Sequence, residues 1–389
     1  MTDPITRLQL LRRAALGGAV IVLPSILAAC GGDGDEEGGA EPAPPPAAGG
    51  ELPGTITVSN WPLYIDVDEE AGTHPTLDQF TQATGIAVNY IEDINSNEEF
   101  FGKIQGPLSQ GQSIDRDVII PTAWMCARLL SLGWLEKLDK SLIPNAANLE
   151  DALASPSWDP NREYSLPWQQ YFTGIGYDPE QVGKEITKVT DLFDPALKGK
   201  ITLLNSMEDT IGLLMLELGS DPTKVDPAVF DEAIAIVQEQ VDSGQVRQFT
   251  GNDYAPLLAK GDVVAAVAWS GDLIQLQADN PNLRFVIPDA GGMTSVDTMV
   301  VPIGGNVAGA STFMNFYYDP AIMAQVAAYV NYVPPVKGVK DAIVAIDPAL
   351  PENELIFPSA EKLSSLYEFD AEALENTDLQ EKWQAVIGA

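Results

Sequence analysis

The chain is poor in the side chains on which much enzyme chemistry depends. Its 389 residues include two cysteines and one histidine. Cys30 falls in a leader-like segment, which leaves Cys126 alone in the body and allows no internal disulfide. Cys126 sits beside Met125 in an apolar context and is expected to be a small core residue. His74 lies in the loop-like stretch AGTHP, with no nucleophile motif, Cys/His metal cluster or phosphate loop elsewhere. The reading is therefore of a protein that is not an enzyme and needs no cofactor or metal. The enzyme class left open is a secreted hydrolase using paired carboxylates.

Basic residues are also scarce, 21 against 56 acidic ones, for a formal charge of −35. Such a surface repels nucleic acid and anionic membranes and attracts cations. Acidity also serves solubility, so it supports a cationic ligand without specifying one. A hydrophobic share of 45% with 20% charged residues is otherwise ordinary for a soluble globular chain. The length suits two domains.

Long hydrophobic runs are missing too. The apolar stretch at 14–27 follows Arg12 and Arg13 and is broken by Gly17, Gly18, Pro24 and Ser25. It is too short for a membrane span and suits a signal peptide over residues 1–29. Leu27-Ala28-Ala29-Cys30-Gly31 looks like a bacterial lipobox with Cys30 as the lipidated residue. The arginine pair resembles a twin-arginine export signal whose consensus is only partly met. Residues 30–53, GGDGDEEGGAEPAPPPAAGGELP after the cysteine, are too polar and Pro/Gly-rich to fold and read as a tether. The expected protein is exported and lipid-anchored at the outer face of the cell membrane.

The body opens with TITVSNWPLYI, a short alternating strand from Thr55 followed by Trp61 and Tyr64. A helix ending at Gly85, a strand at 87–91 and a helix at 98–108 with Phe101 and Ile104 inward come next. A third strand at 117–121 runs into Thr122 and Trp124. Later strands are expected at 164–168, 174–177, 200–204, 263–269, 284–287 and 298–303, with helices at 210–218, 227–243 and 321–331. This alternation implies an α/β fold with mainly parallel sheets. Open sheets of that kind bind ligands beyond the carboxyl ends of their strands, where several acids and aromatics fall. Singly, each of these residues would be read as a cap or a core residue.

The ordered landmarks SNWPLYI, TGIAVNY, DVIIPTAW, LGWLEKLDKS, YSLPW, GIGYD, AVAWSGD and GGMTSVDTMVVP resemble the bacterial spermidine/putrescine-binding proteins. Those are the solute receptors of polyamine ABC importers, and the resemblance covers nearly the whole body. It implies a two-lobed, type II periplasmic-binding-protein-like fold with the ligand in the cleft. Lobe one would take residues 54–172 plus 296–341, and lobe two residues 173–295 plus 342–389. It further implies a polyamine ligand (putrescine or spermidine), a permease and ATPase complex as partner, and a monomer.

Carried over by position, the resemblance implies ligand contacts at Trp61, Tyr64, Thr122, Trp124, Asp209, Trp269, Asp272, Asp297, Tyr332 and, by a weak match, Asp370. Trp124 stands where tyrosine is more usual. Ser295 replaces an expected aromatic and Ser206 an expected second acid, while Glu208 is an alternative to Asp209. None of these positions is basic, which argues against an anionic ligand. A receptor of the same fold for another cationic or amino-acid-derived ligand is the other reading.

Overall fold

The computed structural model describes residues 52–68 and 70–388. The signal peptide, Cys30 and the tether up to residue 51 lie outside the described residues. Among those described, no helix is long and apolar enough to cross a membrane.

The body is built on one ten-stranded mixed sheet. Its strands are β1 (Thr55–Asn60), β2 (Ala87–Glu92), β3 (Val118–Ile119), β4 (Ser165–Tyr177), β5 (Ile201–Leu204), β6 (Val246–Thr250), β7 (Ala265–Trp269), β8 (Arg284–Val286), β9 (Gly292–Val300) and β10 (Leu366–Tyr367). Helices that position the site are α1 (Pro75–Thr84), α2 (Asn97–Ser109), α3 (Ala123–Ser131), α4 (Met207–Glu217), α5 (Pro227–Asp242), α6 (Tyr254–Lys260), α7 (Ser270–Leu276), α8 (Val307–Tyr317), α9 (Pro320–Val330), α10 (Ala371–Glu375) and α11 (Thr377–Ile387).

The outer strands on each side are parallel: β2, β1 and β3 on one side, and β7, β5 and β6 on the other. The centre differs from the expectation of mainly parallel sheets. There β9 pairs antiparallel with β3 and β4, and β4 pairs antiparallel with β7. The reason is that β4 is one continuous strand of 13 residues where two short ones were expected. Its first part pairs with β9, and from Thr173 onward it also pairs with β7. This strand passes from one half of the sheet to the other with no helical crossover and lies antiparallel to both of its neighbours.

Glycine makes that passage possible. A Cβ on Gly174 would lie 2.3 Å from the Val286 carbonyl oxygen of β8, and one on Gly176 2.8 Å from the Leu273 side chain. The GIGYD landmark is thus a close-packing device. Gly174→Ala is expected to cost about 1–3 kcal/mol by overpacking, read as a lowered urea midpoint at unchanged m-value.

Other differences have local causes. Phe100, not Phe101, points into the core beside Ile104, while Phe101 stacks on Trp134 with Arg128 over its ring. Strand β9 starts six residues before the expected one, because Met293–Asp297 pairs with β4 and Gly292 and Met293 pair with β10. Strand β6 has two exposed central residues, and α8 is apolar on most sides, so neither shows a clean period. Cys126 is buried and free, as expected. Residues 343–345 pack beside α9, and residues 350–352 pack on them. Further on, β10 pairs with β9, and in α11 buried Trp383 donates to the Asn205 carbonyl (2.8 Å).

Candidate ligand-binding site

A cavity between the two halves encloses about 460 Å³ of space, part of it open to solvent. It lies at the carboxyl ends of the parallel strands. Trp61 and Tyr64 follow β1, Glu98 lies in the first turn of α2 after β2, and Thr122 precedes α3 after β3. From the other half come Glu208 and Asp209 in the first turn of α4, Asn252 after β6, and Trp269 and Asp272 at the β7–α7 junction. Asp297 of β9, Tyr171 of β4 and Tyr332 after α9 complete the wall. Four helices, α2, α3, α4 and α7, thus put their N-cap or first-turn residues on this space, and the helix dipole there favours carboxylates. Loops from the two halves touch at its rim, where Asn252 N donates to the Asn95 carbonyl (3.1 Å).

Eight of the ten expected ligand residues line the cavity: Trp61, Tyr64, Thr122, Asp209, Trp269, Asp272, Asp297 and Tyr332. Two do not. Trp124 stands behind Glu208, donating its indole N–H to Glu208 Oε1 at 2.9 Å. Asp370 caps α10, accepting from the backbone of Glu372 and Ala373, and also takes the Val225 N–H. Its carboxylate is therefore consumed by local backbone donors, as a turn-forming aspartate's usually is. Ser206 likewise caps α4 through the Asp209 N–H, which accounts for a hydroxyl where an acid was expected.

Asp272 and Asp297 do not act as caps. Asp297 accepts from Tyr64 Oη and Thr122 Oγ1, each at 2.8 Å. Asp272 accepts from Tyr332 Oη (2.6 Å), Tyr254 Oη (2.7 Å) and Asn252 Nδ2 (2.8 Å). Asp209 accepts from Thr173 Oγ1 and from the indole N–H of Trp269 at 3.2 Å. Glu208 takes the Tyr171 hydroxyl (3.3 Å) on the oxygen that already holds Trp124. Every one of these donors is neutral, since burial beside acids pushes the hydroxyls of Tyr64, Tyr171, Tyr254 and Tyr332 well above their ordinary range.

Neutral donors hold the acids in place but do not neutralise them. Burial drives Asp297 up to about 7, partly offset by Tyr64 and Thr122. Asp209 and Asp272 are each raised to about 6, and Glu98 to about 7, again chiefly by burial. Glu208 is pushed well above the usual carboxylate range by burial and then by Asp209 and Glu98. No lysine, arginine or histidine among the described residues lines the cavity. Among the described residues no three His, Cys, Asp or Glu side chains are grouped to hold a metal ion.

Between the acids the walls are aromatic. Trp61 meets Trp269 edge-on at 5.8 Å, and Tyr64 meets Tyr332 edge-on at 4.8 Å. Tyr171 and Tyr254 both flank Trp269, at 6.0 and 5.9 Å. Such a space suits a cation with an apolar body: charge-assisted hydrogen bonds at the carboxylates, and methylene packing with cation–π attraction along the rings.

Sequence reasoning missed Glu98, Tyr171, Asn252 and Tyr254. Glu98 lies in the first turn of the helix that follows β2, so the rule that ligands bind beyond strand ends would have found it. Tyr171 sits inside an apolar strand and carries no signal, and Asn252 follows a strand whose pattern is weak.

The family model of the bacterial extracellular solute-binding proteins matches residues 76–352. The chain is 27% identical over 338 residues to the spermidine/putrescine-binding periplasmic protein of Escherichia coli (strain K12), covering 86% of this chain and 88% of that one. It is 27% identical over 350 residues to a putrescine-binding periplasmic protein of Pseudomonas aeruginosa (strain UCBPP-PA14), covering 85% and 90% respectively. Among solved structures, the spermidine/putrescine ABC transporter substrate-binding protein of Streptococcus pneumoniae aligns with a TM-score of 0.66 at 26% identity, over 86% of this chain and 99% of that one. These relatives are binding proteins, not enzymes. With a match that spans most of its length and a fold shared with them, the chain belongs to the bacterial extracellular solute-binding proteins.

Proposed function

We propose that the protein is the extracytoplasmic receptor of an ABC importer and that its ligand is a polyamine, putrescine or spermidine. One observation carries this reading: several buried acids face a single cavity that has aromatic walls and, among the described residues, no cationic side chain. A cluster of that kind is costly while empty, and a flexible dication or trication offsets the cost at several points. The names of the relatives agree with this ligand.

In this proposal the first half, residues 54–172 with β9 from Val296 through α9, closes against the second by bending where β4 and β9 cross. Asp297 lies at that crossing, so the ligand would bridge both halves, and the closed form would be what the permease and its ATPase read. Cys30 would carry the lipid that holds the exported, monomeric receptor at the outer face of the membrane. Its support is the leader and lipobox pattern of the sequence.

The test is a thermal-shift titration of the purified protein, stripped of ligand by unfolding and refolding. A polyamine at about 100 times its Kd should stabilise the native state by roughly 2.7 kcal/mol. Arginine, glycine betaine and ferric citrate serve as controls. A saturable shift with putrescine or spermidine is expected. A shift with a control compound and none with either polyamine would overturn the ligand assignment.

A further inference from the structure

The loops that meet at the rim of the cavity come from opposite ends of the sheet. Asn95 follows β2 and Gly251 follows β6, and these are the first and last strands in the order β2-β1-β3-β9-β4-β7-β5-β6. In a flat sheet, strands that far apart would stand roughly 34 Å from one another. Here the Asn252 N–H donates to the Asn95 carbonyl at 3.1 Å, so the contact exists only because the two halves fold over the cleft. Asp253 reinforces it. Its Oδ1 accepts the Gly251 N–H at 2.8 Å, which fixes the turn, and meets Asn95 Nδ2 at 3.5 Å.

A glycine is what this approach requires. A Cβ on Gly251 would lie 2.1 Å from the Asn95 carbonyl oxygen and 2.9 Å from the carbonyl carbon, and the next nearest atom is Asn95 Nδ2. The backbone of Gly251 is outside the left-handed region, so the turn itself does not demand glycine. Only the opposite half excludes a side chain there. Neither Asn95 nor Gly251 lines the cavity. The same turn nevertheless leads into Asn252 and Tyr254, whose side chains hold Asp272 at 2.8 and 2.7 Å. Contact at the rim and geometry in the site are thus joined through one short stretch of chain.

We infer that Asn95 and Gly251 seat the two halves against each other as a backbone latch, and that this latch sets how long a bound ligand is retained although neither residue touches it. The inference rests on the hinge closure proposed above and does not depend on which amine the cleft holds. An empty cleft lined by ionised acids opposes closing, so the closed form is the minor one before binding. A cost placed on that form alone passes directly into the apparent affinity.

The test is Gly251→Ala, with putrescine and spermidine followed by calorimetry and by stopped-flow release. The open form accommodates the added methyl group, so the ligand-stripped thermal midpoint should be no lower than the parent's. The overlap falls on the closed form and should weaken both amines by the same factor, about 5- to 150-fold, mainly through faster release. A loss below about twofold, or one that differs more than fivefold between the amines, would overturn the latch. A lowered unliganded midpoint would also overturn it, by making Gly251 a folding residue. Should the parent bind neither amine, the polyamine reading fails and the latch is read without ligand, from hydrogen exchange of the Asn252 amide at pH 5. There Asp209, Asp272 and Asp297 hold protons in the closed form and oppose closing less. Exchange at least threefold slower in the parent than in Gly251→Ala would support the latch, and a smaller difference would overturn it.

Discussion

Asp297→Asn should weaken polyamine binding by about 100- to 4,000-fold in calorimetry at neutral pH, the largest effect expected from any single side chain. Asp297 sits at the centre of the electrostatic cluster: its carboxyl is raised by Asp209 and Asp272 after burial itself. It is buried on β9, at the crossing between the halves, with Tyr64 and Thr122 locked onto its two oxygens. An ammonium bound there is desolvated, and removing its charged partner typically costs 3–5 kcal/mol, which at about 1.4 kcal/mol per decade gives the stated range. The empty protein should respond in the opposite sense. Losing a buried acid removes a desolvation cost, and the amide can still accept from the tyrosine and threonine hydroxyls, so the unliganded midpoint should hold or rise. A change in affinity below about fivefold would remove Asp297 from the site. A large fall in unliganded stability would make it a structural residue.

Acidification is expected to stabilise the empty protein and to destabilise the loaded one relative to it. The signs follow from linkage. In the empty native state Asp297 and Glu98 titrate near 7, and Asp209 and Asp272 near 6, whereas unfolded carboxyls titrate near 4. Between about pH 4 and 7 the native state therefore binds more protons than the unfolded chain. The cost of the ionised cluster is fully present above pH 7 and is relieved as pH falls toward 5. Coupling within the cluster makes the gain less than the sum of its members, on the order of 3 kcal/mol from pH 8 to 5.5. The net charge of −35 acts in the same direction through surface repulsion, so melts belong in about 0.5 M salt, where exposed charges are screened and buried ones are not. Saturating polyamine holds the carboxylates ionised, so the ligand-induced rise in midpoint should be large at pH 8 and shrink steadily toward pH 5. An empty protein that loses stability throughout this range in high salt would contradict the buried acid cluster.

Local pattern alone was enough for much of the molecule. Alternation in TITV, the Gly85 stop after α1 and the apolar run before Trp269 each report a short-range preference: side-chain period, left-handed backbone at a helix end, continuous burial. Residues placed just after such strands are brought to one end of the sheet by topology. Asp272, Trp61 and Thr122 could therefore be placed there without coordinates, whereas Asp209 came only from the family resemblance.

Other features depend on contacts between distant segments, and only the tertiary structure decided them. Whether an aspartate caps a helix or faces a ligand depends on which donors reach it. Asp370 meets its own backbone, whereas Asp272 meets hydroxyls from Tyr254 and Tyr332. Two short strand signals became the single strand β4 because Gly174 and Gly176 let β8 and Leu273 pack against it. Glu208 was legible as an acid beside Asp209, but its bonds to Trp124 and Tyr171 were not, because these donors come from residues 84 and 37 positions away. Local sequence determined the elements and the chemical character of the cleft, since both follow from short-range period and residue type. The tertiary structure decided which acids remain free for a ligand, because hydrogen bonding and desolvation are settled where separate segments meet.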